Sequence, residues 1–164
     1  GDHHCFRKSL PYEGSARVPF LVSGPGVPRR TVSSRVVELR DVMPTLLRFA
    51  GVSDGLEIDG RDALAEGPWR GHLHGEHPFF DQAVHYIRTE THKYVWWSGT
   101  GKEQLFDMRD EVPELRESGD AEELARCREL LVAELEGRPE GFVRGGRLTP
   151  GARISPVLGD LHAH

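Results

Sequence analysis

Apolar and polar positions follow three different spacings along this chain, and each predicts a different element. Val18-Pro19-Phe20-Leu21-Val22 is continuously apolar and closes on Ser23-Gly24-Pro25-Gly26. That pattern predicts a buried strand of a parallel or mixed sheet, with Pro19 at the strand start, where a missing N–H is tolerated. Residues 36–39 read as a short extended piece. Met43, Leu46, Leu47 and Ala50 then recur at i, i+3, i+4 and i+7, with Asp41 as N-cap, Pro44 in the first turn and Gly51 as the stop. This predicts a compact amphipathic helix. Residues 52–80 are loop-rich, with Asp59-Gly60 as a turn and Trp69, Phe79 and Phe80 as anchors.

From residue 82 the period changes to that of strands. Segments 82–89, 92–97 and 104–106 are rich in β-branched and aromatic residues and are separated by short polar turns, which predicts an antiparallel meander. Gly119-Asp120 then opens a helix carrying Leu124, Cys127, Leu131 and Leu135 on one stripe, ending near Gly137 and Pro139. Residues 141–164 show little periodicity and read as an extended surface tail. The fold class is α/β: residues 1–80 as part of an α/β core, 81–140 as an antiparallel sheet packed by one helix, and 141–164 as the tail.

Composition narrows the possible partners. The chain has 164 residues and a net charge of −5, so nonspecific attraction to nucleic acid or to an anionic membrane is not expected. No apolar run approaches the length of a membrane span. Cys5 and Cys127 stand too far apart in sequence to suggest a disulfide framework. The acid-rich segment 111–140 reads as a solvated helix face.

Two clusters could carry chemistry. The first is Asp2, His3 and His4, followed by Lys8 just ahead of Tyr12-Glu13-Gly14-Ser15. Adjacent residues of an extended chain point in opposite directions, so all three could not easily face one ion. A lysine held on rigid scaffold beside a cleft suits an oxyanion of sulfate or phosphate. Tyr12, Glu13 and Arg17 read as residues that orient this loop. The second cluster is His72, His74, Glu76 and His77. If this segment is extended, His72, His74 and Glu76 share one side. Such a set could bind zinc, line a substrate pocket, or simply form a polar rim. Trp96 and Trp97 read as packing on a sheet face.

The run Lys8-Ser-Leu-Pro-Tyr12-Glu13-Gly14-Ser-Ala-Arg17-Val-Pro19 resembles the sulfatase family. So do Asp41-Val-Met-Pro44-Thr45-Leu46-Leu47, Asp59-Gly60-Arg61, Lys93-Tyr94, Leu105-Phe106-Asp107 and Glu114-Leu115, in order and at compatible spacings. The resemblance implies the C-terminal part of an alkaline-phosphatase-like sandwich with a small antiparallel subdomain, acting in sulfate-ester hydrolysis. It also implies a formylglycine nucleophile made within a C/S-x-P-x-R motif and a divalent cation, usually calcium. Lys8 takes the place of the sulfate-binding lysine, with His3 and His74 as further substrate contacts.

No C/S-x-P-x-R motif occurs in this sequence. Cys5 is followed by Phe-Arg-Lys-Ser and Cys127 by Arg-Glu-Leu-Leu. The expectation is therefore a C-terminal portion that holds neither the nucleophile nor the family's metal, needs the N-terminal part of the fold as its partner, and is inactive alone. A phosphonate monoester or phosphodiester hydrolase of the same superfamily and a noncatalytic binding module are the alternatives.

Overall fold

The computed structural model describes residues 10–52, 55 and 57–152. The chain divides into two compact units, Pro19–Leu73 and Gly1–Val18 with His74–His164.

In the larger unit a four-stranded antiparallel sheet runs in the order β1 (His72–Phe79), β2 (Gln82–Thr89), β3 (His92–Trp97) and β4 (Glu103–Asp107). The β2 and β3 bounds coincide with the predicted segments. Glu90-Thr91 alone links β2 to β3, and the register pairs His85 with Trp96 and Ile87 with Tyr94. Period-two alternation gives this sheet two apolar faces. On one, Ala83, Ile87, Tyr94, Trp96 and Leu105 pack against Cys127, Leu131 and Leu135 of helix α3 (Ala121–Leu135) and against Phe142. Burying one such leucine stabilises the fold by roughly 1.5–3 kcal/mol. On the other face, Val84, Val95 and Phe106 form a second cluster with Tyr12, Tyr86, Trp97 and Met108.

Helix α3 starts where Asp120 accepts the Glu123 backbone N–H at 3.0 Å, an N-cap that satisfies one of the helix's free donors. Beyond it, residues 141–152 are more ordered than a surface tail. Val143–Arg144 (β5) and Arg147–Leu148 (β6) pair as a minimal hairpin, and Phe142 is buried. Helix α1 (Glu13–Ala16) is a single turn held over the second sheet face.

The smaller unit is built around Asp41 and helix α2 (Val42–Ala50). Gly51, at φ 66°, closes α2 in the left-handed conformation, as the pattern predicts. Asp41, however, does not cap α2 with its side chain. Its fully buried carboxylate accepts the backbone N–H of Glu38 at 2.9 Å and of Arg61 at 2.8 Å, and pairs with the Arg70 guanidinium. The carboxylate thus ties the 3-10 turn Leu39–Asp41 to the Asp59-Gly60-Arg61 loop. Gly60 is required there, since a Cβ would lie 1.9 Å from the Arg40 carbonyl oxygen. Thr45 Oγ1 adds a second tie, accepting the Ala63 N–H at 2.9 Å.

Three further local expectations differ from the structure. Residues 18–22 are not a strand, and Leu21 is 90% exposed. A continuously apolar strand needs paired neighbours, and among the described residues none pairs with it. Residues 72–79, within the loop-rich stretch, form β1 instead. Trp69 does anchor its loop, donating its Nε1–H to the Val36 carbonyl at 2.9 Å with Arg35 and Arg70 each 5.1 Å from its ring. Phe80, also expected among the anchors, is 80% exposed in the β1–β2 turn with φ 58°.

Candidate functional site

Strand β1 carries the chemistry of the second sequence cluster. Because it is extended, His74 and Glu76 project to one side, and Gly75 between them faces the other. At Gly75 a Cβ would lie 2.1 Å from the Tyr86 ring of the adjacent strand, so any substitution would force that ring to move. The sequence offered no signal that the partner of His74 and Glu76 is His85, eleven residues beyond His74 in β2. His74 Nε2 lies 3.2 Å from His85 Nδ1, and Glu76 Oε2 lies 3.6 Å from the same Nδ1. One donor atom from each of the three side chains falls within 4.8 Å of the others.

His85 is fully buried, stacked on Trp96 and set edge-on to Phe142 at 4.8 Å. Burial, aided by His74, lowers its pKa to about 4, so the imidazole is neutral. Glu76 is exposed, and Arg138 binds it at 2.6 Å while also holding Glu140 at 2.7 Å. Burial works to raise the Glu76 pKa, but the hydrogen bond and charge of Arg138 outweigh it and the carboxylate titrates below its ordinary range. His72 and His77 lie outside this grouping.

The first cluster's residues Asp2, His3, His4 and Lys8 lie outside the described residues. The chain just beyond Lys8 is firmly docked. Tyr12 donates its hydroxyl to Gln104 Oε1 at 3.0 Å and meets Phe106 edge-to-face at 6.0 Å. The Glu13 backbone N–H donates to Glu114 Oε2 at 2.6 Å, and its carboxylate accepts from Lys93 Nζ at 3.0 Å. Arg17 only grazes Glu13 at 4.0 Å, with 74% of its side chain exposed. Tyr12 and Glu13 are therefore docking residues of this loop, bound to the sheet.

Cys127, the one cysteine within the described residues, is completely buried on the sheet-facing side of α3. Burial and the neighbouring Glu123 push its thiol up to about 12. It is a core residue, with no thiolate to offer chemistry.

The sulfatase-like segments fall into two physical groups. Tyr12, Glu13, Lys93, Phe106 and Glu114 meet in the larger unit, and Asp41, Thr45, Gly60 and Arg61 meet in the smaller one. Residues 1–140 match the family described as N-sulphoglucosamine sulphohydrolase, C-terminal, and the chain belongs to that sulfatase family. Among curated proteins it is 42% identical over 170 residues to an arylsulfatase of Clostridium perfringens (strain 13 / Type A), covering 96% of this chain and 35% of that protein. It is 33% identical over 130 residues to arylsulfatase K of Canis lupus familiaris, covering 70% of this chain and 24% of that protein. The chain thus spans about a third or less of the length of these relatives.

Proposed function

We propose that this chain is the C-terminal portion of an arylsulfatase-like sulfuric ester hydrolase, and that Lys8 is its contribution to the chemistry. In this reading the Lys8 ammonium binds a sulfate oxygen and stabilises the charge that develops on the leaving oxygen. The observation that carries the proposal is the anchoring of the next residues. Tyr12 and Glu13 are held by Gln104, Phe106, Lys93 and Glu114, so the loop base beside Lys8 is fixed before substrate arrives.

The family's formylglycine does not fit residues of this chain, because the C/S-x-P-x-R motif does not occur and Cys127 is sealed in the core. Calcium prefers a shell of oxygen ligands. Among the described residues the one convergent donor set is His74, Glu76 and His85, which is nitrogen-rich. The nucleophile and the family's cation are therefore assigned to the remainder of a complete sulfatase fold.

The test is hydrolysis of 4-nitrophenyl sulfate by the 164-residue chain alone and by a hybrid in which it replaces the matching part of the C. perfringens arylsulfatase. The expected result is turnover by the hybrid and none by the chain. Turnover by the chain alone, or a folded hybrid that cleaves a phosphonate monoester but no sulfate, would refute the assignment.

A further inference from the structure

We propose that His74, Glu76 and His85 form a zinc site at the β1–β2 edge of the sheet, with a fourth coordination position open to water. This proposal does not rest on the role assigned to Lys8.

The spacing of the donors is the first argument. Zinc binds imidazole nitrogen at about 2.0–2.1 Å and carboxylate oxygen at about 2.0–2.2 Å in a tetrahedron, so its ligand atoms stand about 3.3–3.5 Å apart. The separations here are 3.2 Å between His74 Nε2 and His85 Nδ1, and 3.6 Å between His85 Nδ1 and Glu76 Oε2. Small side-chain adjustments would seat an ion. Two histidines and one glutamate are also a recognised catalytic-type zinc set, leaving one position free.

Protonation is the second. His85 Nε2 is buried with no hydrogen-bond partner, against the rings of Phe142 and Trp96. An N–H is tolerated against an aromatic face better than a bare lone pair is. The tautomer with its proton on Nε2 leaves the Nδ1 lone pair directed at His74 and Glu76. In the metal-free chain His74 Nε2 and His85 Nδ1 share one proton in their 3.2 Å hydrogen bond, and a cation would take that proton's place.

The surroundings are the third. Ligating carboxylates are commonly steadied by an outer hydrogen bond. Arg138 supplies one to Glu76 and remains paired through Glu140 if Glu76 turns toward the ion. The aromatic walls hold the His85 ring in place, and Gly75 lets β1 lie close over Tyr86.

The test uses the full chain, stripped with chelator and titrated with zinc against a chromophoric competitor, and with cobalt followed by visible absorption. The wild-type chain should bind one zinc and give the intense cobalt bands of a tetrahedral site. Glu76→Gln and His74→Ala, both at positions accessible enough to fold, should each weaken zinc at least about tenfold. His77→Ala and the pair His3→Ala/His4→Ala should leave it unchanged. Absence of micromolar binding, affinity indifferent to both Glu76→Gln and His74→Ala, or only the weak cobalt bands of an octahedral site would each overturn the proposal. Circular dichroism of every variant separates loss of a ligand from loss of fold.

Discussion

Lys93 Nζ lies 2.9 Å from Glu114 Oε1, with both side chains only 1% exposed. A second carboxylate, Glu13, shares the same ammonium at 3.0 Å. A buried ion pair is weak evidence for net stability, but removing one partner strands the other without water. Lys93→Met should therefore destabilise the larger unit by about 3–5 kcal/mol, read from the urea midpoint. The triple variant Lys93→Met/Glu13→Gln/Glu114→Gln should recover part of that loss. A change below about 1 kcal/mol for Lys93→Met would mean that the pair is solvated.

Asp41 plays the matching part in the smaller unit. Asp41→Ala would leave the part-buried N–H groups of Glu38 and Arg61 without their acceptor, while the Arg70 guanidinium would keep only Glu38. Each stranded group costs about 1–3 kcal/mol, enough to unfold a unit of this size. Amide exchange across 36–70 should become fast in the variant while exchange in β2 and β3 stays slow. Uniform acceleration in both units would contradict the local role of Asp41.

Stability should fall at both ends of the pH range through one network. Tyr94 donates its hydroxyl to Glu103, which also accepts from Arg128 at 2.6 and 2.8 Å. Burial and the Glu103 hydrogen bond raise the Tyr94 pKa above 10, so the fold favours the protonated phenol. That stability is present below pH 10 and is lost as pH rises beyond it. For Glu103, burial acts upward, but the Arg128 and Tyr94 hydrogen bonds win and its pKa drops below 4.5. Its contribution is present above pH 4.5 and is lost as pH falls further. Denaturation curves of Tyr94→Phe should show a shallower alkaline decline, and those of Glu103→Gln a shallower acid one. Slopes identical to wild type would count against the network.

Cys127 should resist thiol reagents in the native state. With Cys5 replaced by serine, the chain should react with a disulfide reagent only after denaturation, because burial keeps the Cys127 thiol protonated. Rapid native-state labelling would show that α3 does not stay docked on the sheet.

Much of the larger unit is legible from pattern alone. The bounds of β2 and β3 follow from β-branched and aromatic alternation, and α3 follows from Asp120 and the Cys127-Leu131-Leu135 stripe. Strand β1 is hidden because four of its eight residues are His or Glu and two more are Gly75 and Pro78, a composition that local propensity reads as loop. It is held by pairing with β2, which is a nonlocal fact. The same holds for His85, which reads as one polar position of a strand until the pairing of β1 with β2 brings it within 3.2 Å of His74. Lys93 and Glu114 are visible in sequence as parts of a signature, but their burial against each other is not. Residues 18–22 illustrate the converse: the apolar run satisfies the strand pattern, yet a strand also needs neighbours to pair with.

In a complete sulfatase fold, Lys8 is proposed to act directly on the sulfate ester while Tyr12 and Glu13 only position it. The most direct measurement is kcat/KM for 4-nitrophenyl sulfate in the hybrid arylsulfatase carrying this chain, with Lys8→Ala compared with Tyr12→Phe. Loss of a charge that stabilises the transition state should lower kcat/KM by about 100- to 1,000-fold in Lys8→Ala, mostly through kcat, with Tyr12→Phe within about tenfold of wild type. A folded Lys8→Ala hybrid with wild-type kcat/KM would contradict the assignment of Lys8.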